Sequence, residues 1–312
     1  MMQLIIQSLE FDLMKKGISN KAPGKDVSAD DIKEKFPLVA KKSEDHFSEF
    51  DVAGVKFGPK SLPIFAGPNM VESEELIILT AKEVKKRGAS FLRGGAFKPL
   101  TFPYRSAKYN ETRENGIEWL RKAKLTVGIP IITEIMEIKY LNLISEVADI
   151  LQIGTRNMQN YPLLTACAKT GLPIMLKRGY GASLRDWLGA AEYIMYEGNQ
   201  RVILCERGIV VPHTHRSTSR FLLDLQVIPA AKEITHLPIC TDPSHATFWR
   251  PWVKSMALAS VSAGADGVML EVHPDPENAA VDPLQAIDFD SFGKLVEDIK
   301  KTGSIVDKFV PQ

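Results

Sequence analysis

Apolar and polar positions alternate along this chain in blocks. Short apolar runs, each bounded by Gly, Pro or charged residues, occupy 62–66, 90–92, 128–133, 149–153, 172–176, 201–205, 237–240 and 266–270. Their length and bounding residues predict strands. Between most neighbours lies a longer stretch with apolar residues at helical spacing, over 73–87, 112–123, 163–170, 184–196 and 251–263. Strands that are apolar throughout, rather than in alternation, are buried on both faces. Eight of them alternating with helices predict a parallel sheet closed on itself, an α/β fold of the (β/α)8 barrel type. Residues 1–60 stand outside this repeat as an N-terminal extension, and 61–312 form the barrel. Within the extension, 15–35 is rich in Lys, Asp, Ser, Gly and Pro and reads as a solvated, mobile segment. Apolar pieces around 52–57 suggest a hairpin that closes the bottom of the barrel.

The chain has 312 residues, and at about 150 residues per domain this would suggest two domains. A closed barrel of about 250 residues is the standing exception to that arithmetic. With 39 basic and 38 acidic residues the net charge is only +1. No long-range field recruits nucleic acid or an anionic membrane, so basic residues that matter must act as a local cluster. No apolar run reaches the roughly 18 residues that a membrane span needs, and no secretory leader is evident. Three widely spaced cysteines, Cys167, Cys205 and Cys240, read as reduced, buried residues of a cytoplasmic protein.

In barrels of this type chemistry sits where the strands end at their C-terminal mouth. Polar residues fall there repeatedly: Asn69, Arg93 and Lys98, Glu134, Arg156, Lys177 and Arg178, Glu206 and Arg207, Asp242 and His245, Glu271 and His273. Wet loops account for some of these. They do not account for five cations, Arg93, Lys98, Arg156, Lys177 and Arg207, on one rim of a nearly neutral chain. Such a set suits a small, multiply charged anion bearing phosphate and carboxylate. A second group, His245, Glu271 and Asp282, offers an imidazole and two carboxylates that could hold a divalent cation. Spacing leaves the structural alternatives open: His245 as a helix cap in its Asp-Pro-Ser-His turn, and Glu271 paired with an arginine. There is no nucleophile elbow, and 93–99 lacks the order of a P-loop, which disfavours triad hydrolysis and nucleotide hydrolysis.

Seven strings occur in order: FAGPNMVES (65–73), LRGGAFKP (92–99), QIGTRNMQN (152–160), LKRG (176–179), VILCERG (202–208), DPSHA (242–246) and EVHPDP (271–276). Together they resemble the type I-beta 3-deoxy-D-arabino-heptulosonate 7-phosphate synthases over roughly residues 50–300, and also the sister 3-deoxy-D-manno-octulosonate 8-phosphate synthases. The resemblance implies a barrel that condenses phosphoenolpyruvate with an aldose phosphate, erythrose 4-phosphate first among them, with no organic cofactor. It implies the first step of the route to aromatic amino acids and a homodimer or homotetramer. By the same resemblance Arg93, Lys98, Thr101, Arg156, Lys177, Arg207 and Asp242 bind substrate. Lys98, His245, Glu271 and Asp282 take part in catalysis, and the last three hold a divalent metal such as manganese.

Two positions depart from the family pattern. The family's fourth ligand is a cysteine in Gly-Pro-Cys, where this chain has Asn69, a neutral and harder donor that weakens the hold on a soft metal. The octulosonate synthases include a metal-independent class with Asn there. Leu100 replaces the arginine that clamps the acceptor phosphate in Lys-Pro-Arg-Thr, which leaves Arg105 as a surrogate and a different aldehyde as the alternative. The stretch 210–222, with His213, His215, Arg216 and Arg220, also fits the family poorly and reads as a surface loop or a changed acceptor site. A barrel that binds a phosphate without turnover is a further alternative. No separate regulatory module is matched.

Overall fold

The structure, a computed structural model, describes residues 29–98, 111–213, 215–217 and 221–311. Eight parallel strands close into a barrel: β3 (Ile64–Gly67), β4 (Phe91–Arg93), β5 (Ile131–Ile135), β6 (Ile150–Ile153), β7 (Ile174–Lys177), β8 (Val202–Glu206), β9 (Ile239–Thr241) and β10 (Gly267–Glu271), with β10 returning to pair with β3. All eight predicted strands are present, and all but β6, which ends with its run at Ile153, reach one or two residues further than the apolar run. The runs end at a charge or a glycine, whereas backbone pairing continues through Gly67, Arg93, Lys177, Glu206 and Glu271. The predicted start at residue 128 falls instead on the cap of the preceding helix (Arg113–Val127), where Gly128 takes the left-handed conformation at φ 66°.

The sheet separates two apolar layers. Outside, residues such as Ile64, Leu92, Leu151, Leu176 and Leu270 pack against the surrounding helices, among them Glu74–Lys86, Leu184–Tyr196 and Phe289–Ile305. Inside, alternate residues fill the barrel: Phe65, Phe91, Ile132, Ile150, Met175, Ile203, Cys205, Cys240 and Met269. This two-residue period puts one side chain in and the next out. The interior is a packed core rather than a channel.

The hairpin β1 (Phe50–Val52) and β2 (Val55–Phe57) adds Val52, Val55 and Phe57 to the inner layer. Phe57 lies 6.3 Å from Phe65 and 6.0 Å from Phe91 between ring centroids. It plugs the N-terminal end of the barrel. The expectation of a mobile 15–35 is corrected at its far end, where Ala29–Lys35 is a helix. Ile32 is fully buried there and Asp31 pairs with Arg185, so an amphipathic turn outweighs the polar composition. Residues 15–28 lie outside the described residues. The three cysteines are free and buried, and burial pushes the Cys167 and Cys205 thiols up to about 12. Among the described residues no helix is long and apolar enough to cross a membrane.

Candidate active site

The inner apolar layer ends in a polar one. Two residues beyond Phe65, Phe91, Ile132, Ile150, Met175, Cys205, Cys240 and Met269 stand Gly67, Arg93, Glu134, Gln152, Lys177, Arg207, Asp242 and Glu271. The strand alternation that packs the core thus turns these side chains inward at the C-terminal mouth. A cavity of about 140 Å³ opens there, and all five predicted cations, Arg93, Lys98, Arg156, Lys177 and Arg207, line it. Asn69, His245 and Asp282 line it as well.

Two cations are paired within the wall. Lys177 Nζ donates to Asp242 Oδ2 at 2.5 Å, and Lys98 Nζ donates to Glu134 Oε2 at 3.2 Å. Gly154 leaves room for Glu134, whose carboxylate would have to move aside for a Cβ at that position. The arginines differ. Arg93 Nη2 donates to the amide oxygen of Asn69 at 3.2 Å, while Arg93 Nη1 and Arg207 Nη1 are buried without a hydrogen-bond partner among the described residues. Buried guanidinium donors are ordinarily satisfied, so two orphans facing one cavity fit an anionic ligand.

Behind them lies the second predicted group. One ligand atom from each of His245, Glu271 and Asp282 falls within 4.8 Å of the others. His245 Nδ1 sits 2.9 Å from Asp242 Oδ2 and its Nε2 sits 3.8 Å from Glu271 Oε2. Burial, reinforced by Lys177 and Arg93, pushes the imidazole well below its ordinary pKa against the pull of Asp242. His245 is therefore neutral, donates through Nδ1 to Asp242 and presents the Nε2 lone pair to the two carboxylates. Burial works to raise Asp242, but His245 and Lys177 outweigh it and hold that carboxyl well below the usual range. Glu271 goes the other way, pushed up to about 8 by burial, with Arg93 opposing and Asp282 adding to the rise.

A neutral imidazole beside two crowded carboxylates fits a hard divalent cation. Asn69 does not complete that set as it stands. Arg93 can only donate, so the amide oxygen must face it, and Asn69 Nδ2 donates to Asp282 Oδ2 at 2.7 Å. The fourth position thus holds a carboxylate by a hydrogen bond instead of offering it a thiolate neighbour. Asp282 takes φ 53°, an uncommon conformation for a residue with a side chain.

The structural alternatives for this group resolve by contact. Asp242, not His245, caps the helix Pro243–Thr247, accepting from His245 N. Glu271 accepts from Gln285 Nε2 at 2.5 Å and from no arginine among the described residues. Other rim residues fall outside the cavity. Arg178 donates to Glu206 at 3.0 Å and to Asp224 at 2.8 Å, tying the loop after β8 to the strand ends. His273 turns to the Asp275 carbonyl at 2.7 Å. Arg216 stacks on Trp249, 3.6 Å from the ring centroid. Leu100, Thr101, Arg105 and Arg220 lie outside the described residues.

Some lining residues carried no role in the sequence reading. Glu134 was visible as a strand end, and Gln152 follows Ile150 by the same two-residue step. Tyr180, Phe221 and Phe248 also line the cavity, from loops without periodicity that would have marked them.

A model of the DAHP synthetase I family matches residues 39–308. The phospho-2-dehydro-3-deoxyheptonate aldolase of Thermotoga maritima is 39% identical over 266 residues, 85% of this chain and 77% of that protein. The 2-dehydro-3-deoxyphosphooctonate aldolase of Nitrosococcus oceani is 29% identical over 276 residues, 83% of this chain and 95% of that one. A crystal structure of the Thermotoga DAHP synthase superposes with a TM-score of 0.80 at 37% identity, covering 87% of this chain and 78% of that one. A truncated form of the same enzyme gives 0.79 at 36% identity, covering 88% and 98%. With its closed barrel, its cation-lined mouth and a match along most of its length, this chain belongs to the DAHP synthetase I family.

Proposed function

We propose that this chain is a 3-deoxy-7-phosphoheptulonate synthase-type transferase that joins phosphoenolpyruvate to an aldose phosphate, erythrose 4-phosphate in the first instance. The observation that carries the reading is the cavity in which five cations meet, with Arg93 Nη1 and Arg207 Nη1 buried and unpaired among the described residues. A phosphate and a carboxylate on one small molecule satisfy such donors together.

In this reading Arg93, Arg156, Lys177 and Arg207 hold the phosphate and carboxylate of phosphoenolpyruvate and so fix the enol face. C3 forms the new bond to the aldehyde carbon, whose oxygen takes up a proton. Lys98, held against Glu134, carries that proton at Nζ. Water adds its oxygen at C2 and gives up a proton. Phosphate then leaves by C–O cleavage as the C2 ketone forms. Asp242 orients His245 and neutralises Lys177, and is thus a positioning residue. The chemistry a divalent ion such as manganese supplies, when held by His245, Glu271 and Asp282, is polarisation of the aldehyde oxygen.

Asn69 sets the metal question. Its bond to Asp282 supports a site that works without metal or holds a hard ion weakly, so active purified protein is expected to carry no tightly bound, stoichiometric zinc or iron. Such a metal, found by elemental analysis, would contradict this. The test of the reaction is formation of equal amounts of phosphate and 3-deoxy-ulosonate from phosphoenolpyruvate and erythrose 4-phosphate, with chelator and with manganese restored. Turnover in both arms supports the reaction and metal-free chemistry. Turnover lost with chelator and recovered with manganese makes His245, Glu271 and Asp282 working ligands. Absence of turnover in both arms contradicts the assignment, and the unmatched Leu100 then directs the search to another aldehyde.

The proposal extends to a cytoplasmic setting, a place in aromatic amino acid synthesis, a division at about residue 60, and assembly as a homodimer or homotetramer. Tyr161 and Tyr193, stacked at 4.3 Å beside the exposed Tyr196, support the last by offering apolar surface.

A further inference from the structure

The five cations of the mouth are held in two different ways. Lys177 and Lys98 each lie against a carboxylate that cancels their charge locally. Arg207 and Arg156 have no carboxylate within ion-pair distance among the described residues. They lie on aromatic faces instead. The Arg207 guanidinium is 5.0 Å from the Tyr180 ring centroid and 4.5 Å from that of Phe221. The Arg156 guanidinium is 5.7 Å from the same Tyr180 ring. Tyr180 and Phe221 stack on each other, 4.9 Å apart and 6° from parallel.

This arrangement is built into the backbone. Val210 N donates to the Tyr180 carbonyl at 2.9 Å, and Ile209 and Leu222 exchange backbone hydrogen bonds at 3.0 and 2.9 Å. Those bonds bring residues 180 and 221 to either side of the β8 exit. Gly208, at φ +99°, makes the approach feasible, since a Cβ there would lie 2.7 Å from Phe221 Cβ. Arg178 locks the same loop through Asp224 and the Ala182 carbonyl.

A ring face holds a guanidinium by its π surface while leaving the N–H edge free and the positive charge intact. A carboxylate partner would consume both. We propose that Tyr180 and Phe221 are positioning residues, an aromatic clamp that aligns Arg207, and through Tyr180 also Arg156, for the anionic groups of phosphoenolpyruvate. The clamp rests on the reading given under Proposed function. It explains how Arg207, whose Nη1 is buried with no hydrogen-bond partner among the described residues, is held in place. Its contribution belongs to binding of the enol substrate, not to the acceptor.

The test is calorimetric titration of phosphoenolpyruvate into wild type, Tyr180→Leu, Phe221→Leu and Tyr180→Phe, with steady-state constants for both substrates. Loss of either ring face is expected to weaken phosphoenolpyruvate binding about tenfold, with the KM of the aldose phosphate nearly unchanged. Tyr180→Phe keeps the face and is expected to bind like wild type. In an Arg207→Met background Tyr180→Leu is expected to cost less than it does alone, because its effect runs through Arg207. Two folded Leu variants that bind as tightly as wild type would overturn the clamp, as would a Tyr180→Phe loss equal to that of Tyr180→Leu. If Tyr180→Leu does not fold, Phe221→Leu carries the same comparison. Wild type that fails to bind phosphoenolpyruvate overturns the underlying reading and the clamp with it, a result distinct from a binding wild type with indifferent variants.

Discussion

Arg178 and Lys177 are chain neighbours with opposite assignments, and strand geometry separates them. Lys177 follows Met175 into the barrel and reaches the cavity, whereas Arg178 turns outward to Glu206 and Asp224. A residue list drawn from strand ends cannot tell the two apart, but a count of two from the inner apolar residue can. Arg178 is buried and multiply paired, so Arg178→Met leaves Glu206 without its counter-charge in a site where its carboxyl is already raised by burial. The expected loss is about 3–5 kcal/mol of stability, read as a lower urea midpoint. An unchanged midpoint would show that Glu206 does not depend on this pair.

Elements were legible where the pattern was long and periodic. The helix predicted over 184–196 is observed as Leu184–Tyr196, with Ser183 and Asp186 forming a capping box. What stayed illegible was local and non-periodic: the helix at Ala29–Lys35 within a polar stretch, and the aromatic residues of the loops. The segment after that helix also binds the barrel through a histidine. His236 accepts from Ser48 Oγ at Nδ1, 2.7 Å away, and donates from Nε2 to the Leu38 carbonyl at 2.8 Å, with His46 stacked 4.1 Å away. Burial lowers the pKa of His236, and His46 and Lys42 add to that against the Leu38 bond. The unfolded chain takes up the proton near the ordinary 6.5 and the folded chain does not. Stability is therefore full above that pH and falls as the solution is acidified through it. His236→Gln keeps a donor for Leu38 and is expected to flatten the fall in melting temperature between about pH 6.5 and 5. His46, lowered in the same direction, retains part of the slope. An equally steep fall in the variant would assign the acid sensitivity elsewhere.

At the scale of the whole molecule, a chain of net charge +1 concentrates five cations around one cavity of about 140 Å³. Alternation in the strands does this: the interior is apolar for one layer and polar for the next, and the hairpin plug closes the opposite end. The barrel and the identity of the five cations were legible because each depends on where strands stop. The wiring between them was not, because Asn69 to Asp282, Arg93 to Asn69 and Arg207 on Tyr180 join residues far apart in sequence. The most direct measurement is phosphate release from phosphoenolpyruvate, dependent on an added aldose phosphate, in wild type and in Lys177→Met. The account predicts turnover in wild type and a fall of about a hundredfold or more in kcat/KM for phosphoenolpyruvate when Lys177 is lost. A wild type that releases no phosphate, or a Lys177→Met variant that turns over like it, would contradict the assignment of this reaction to this mouth.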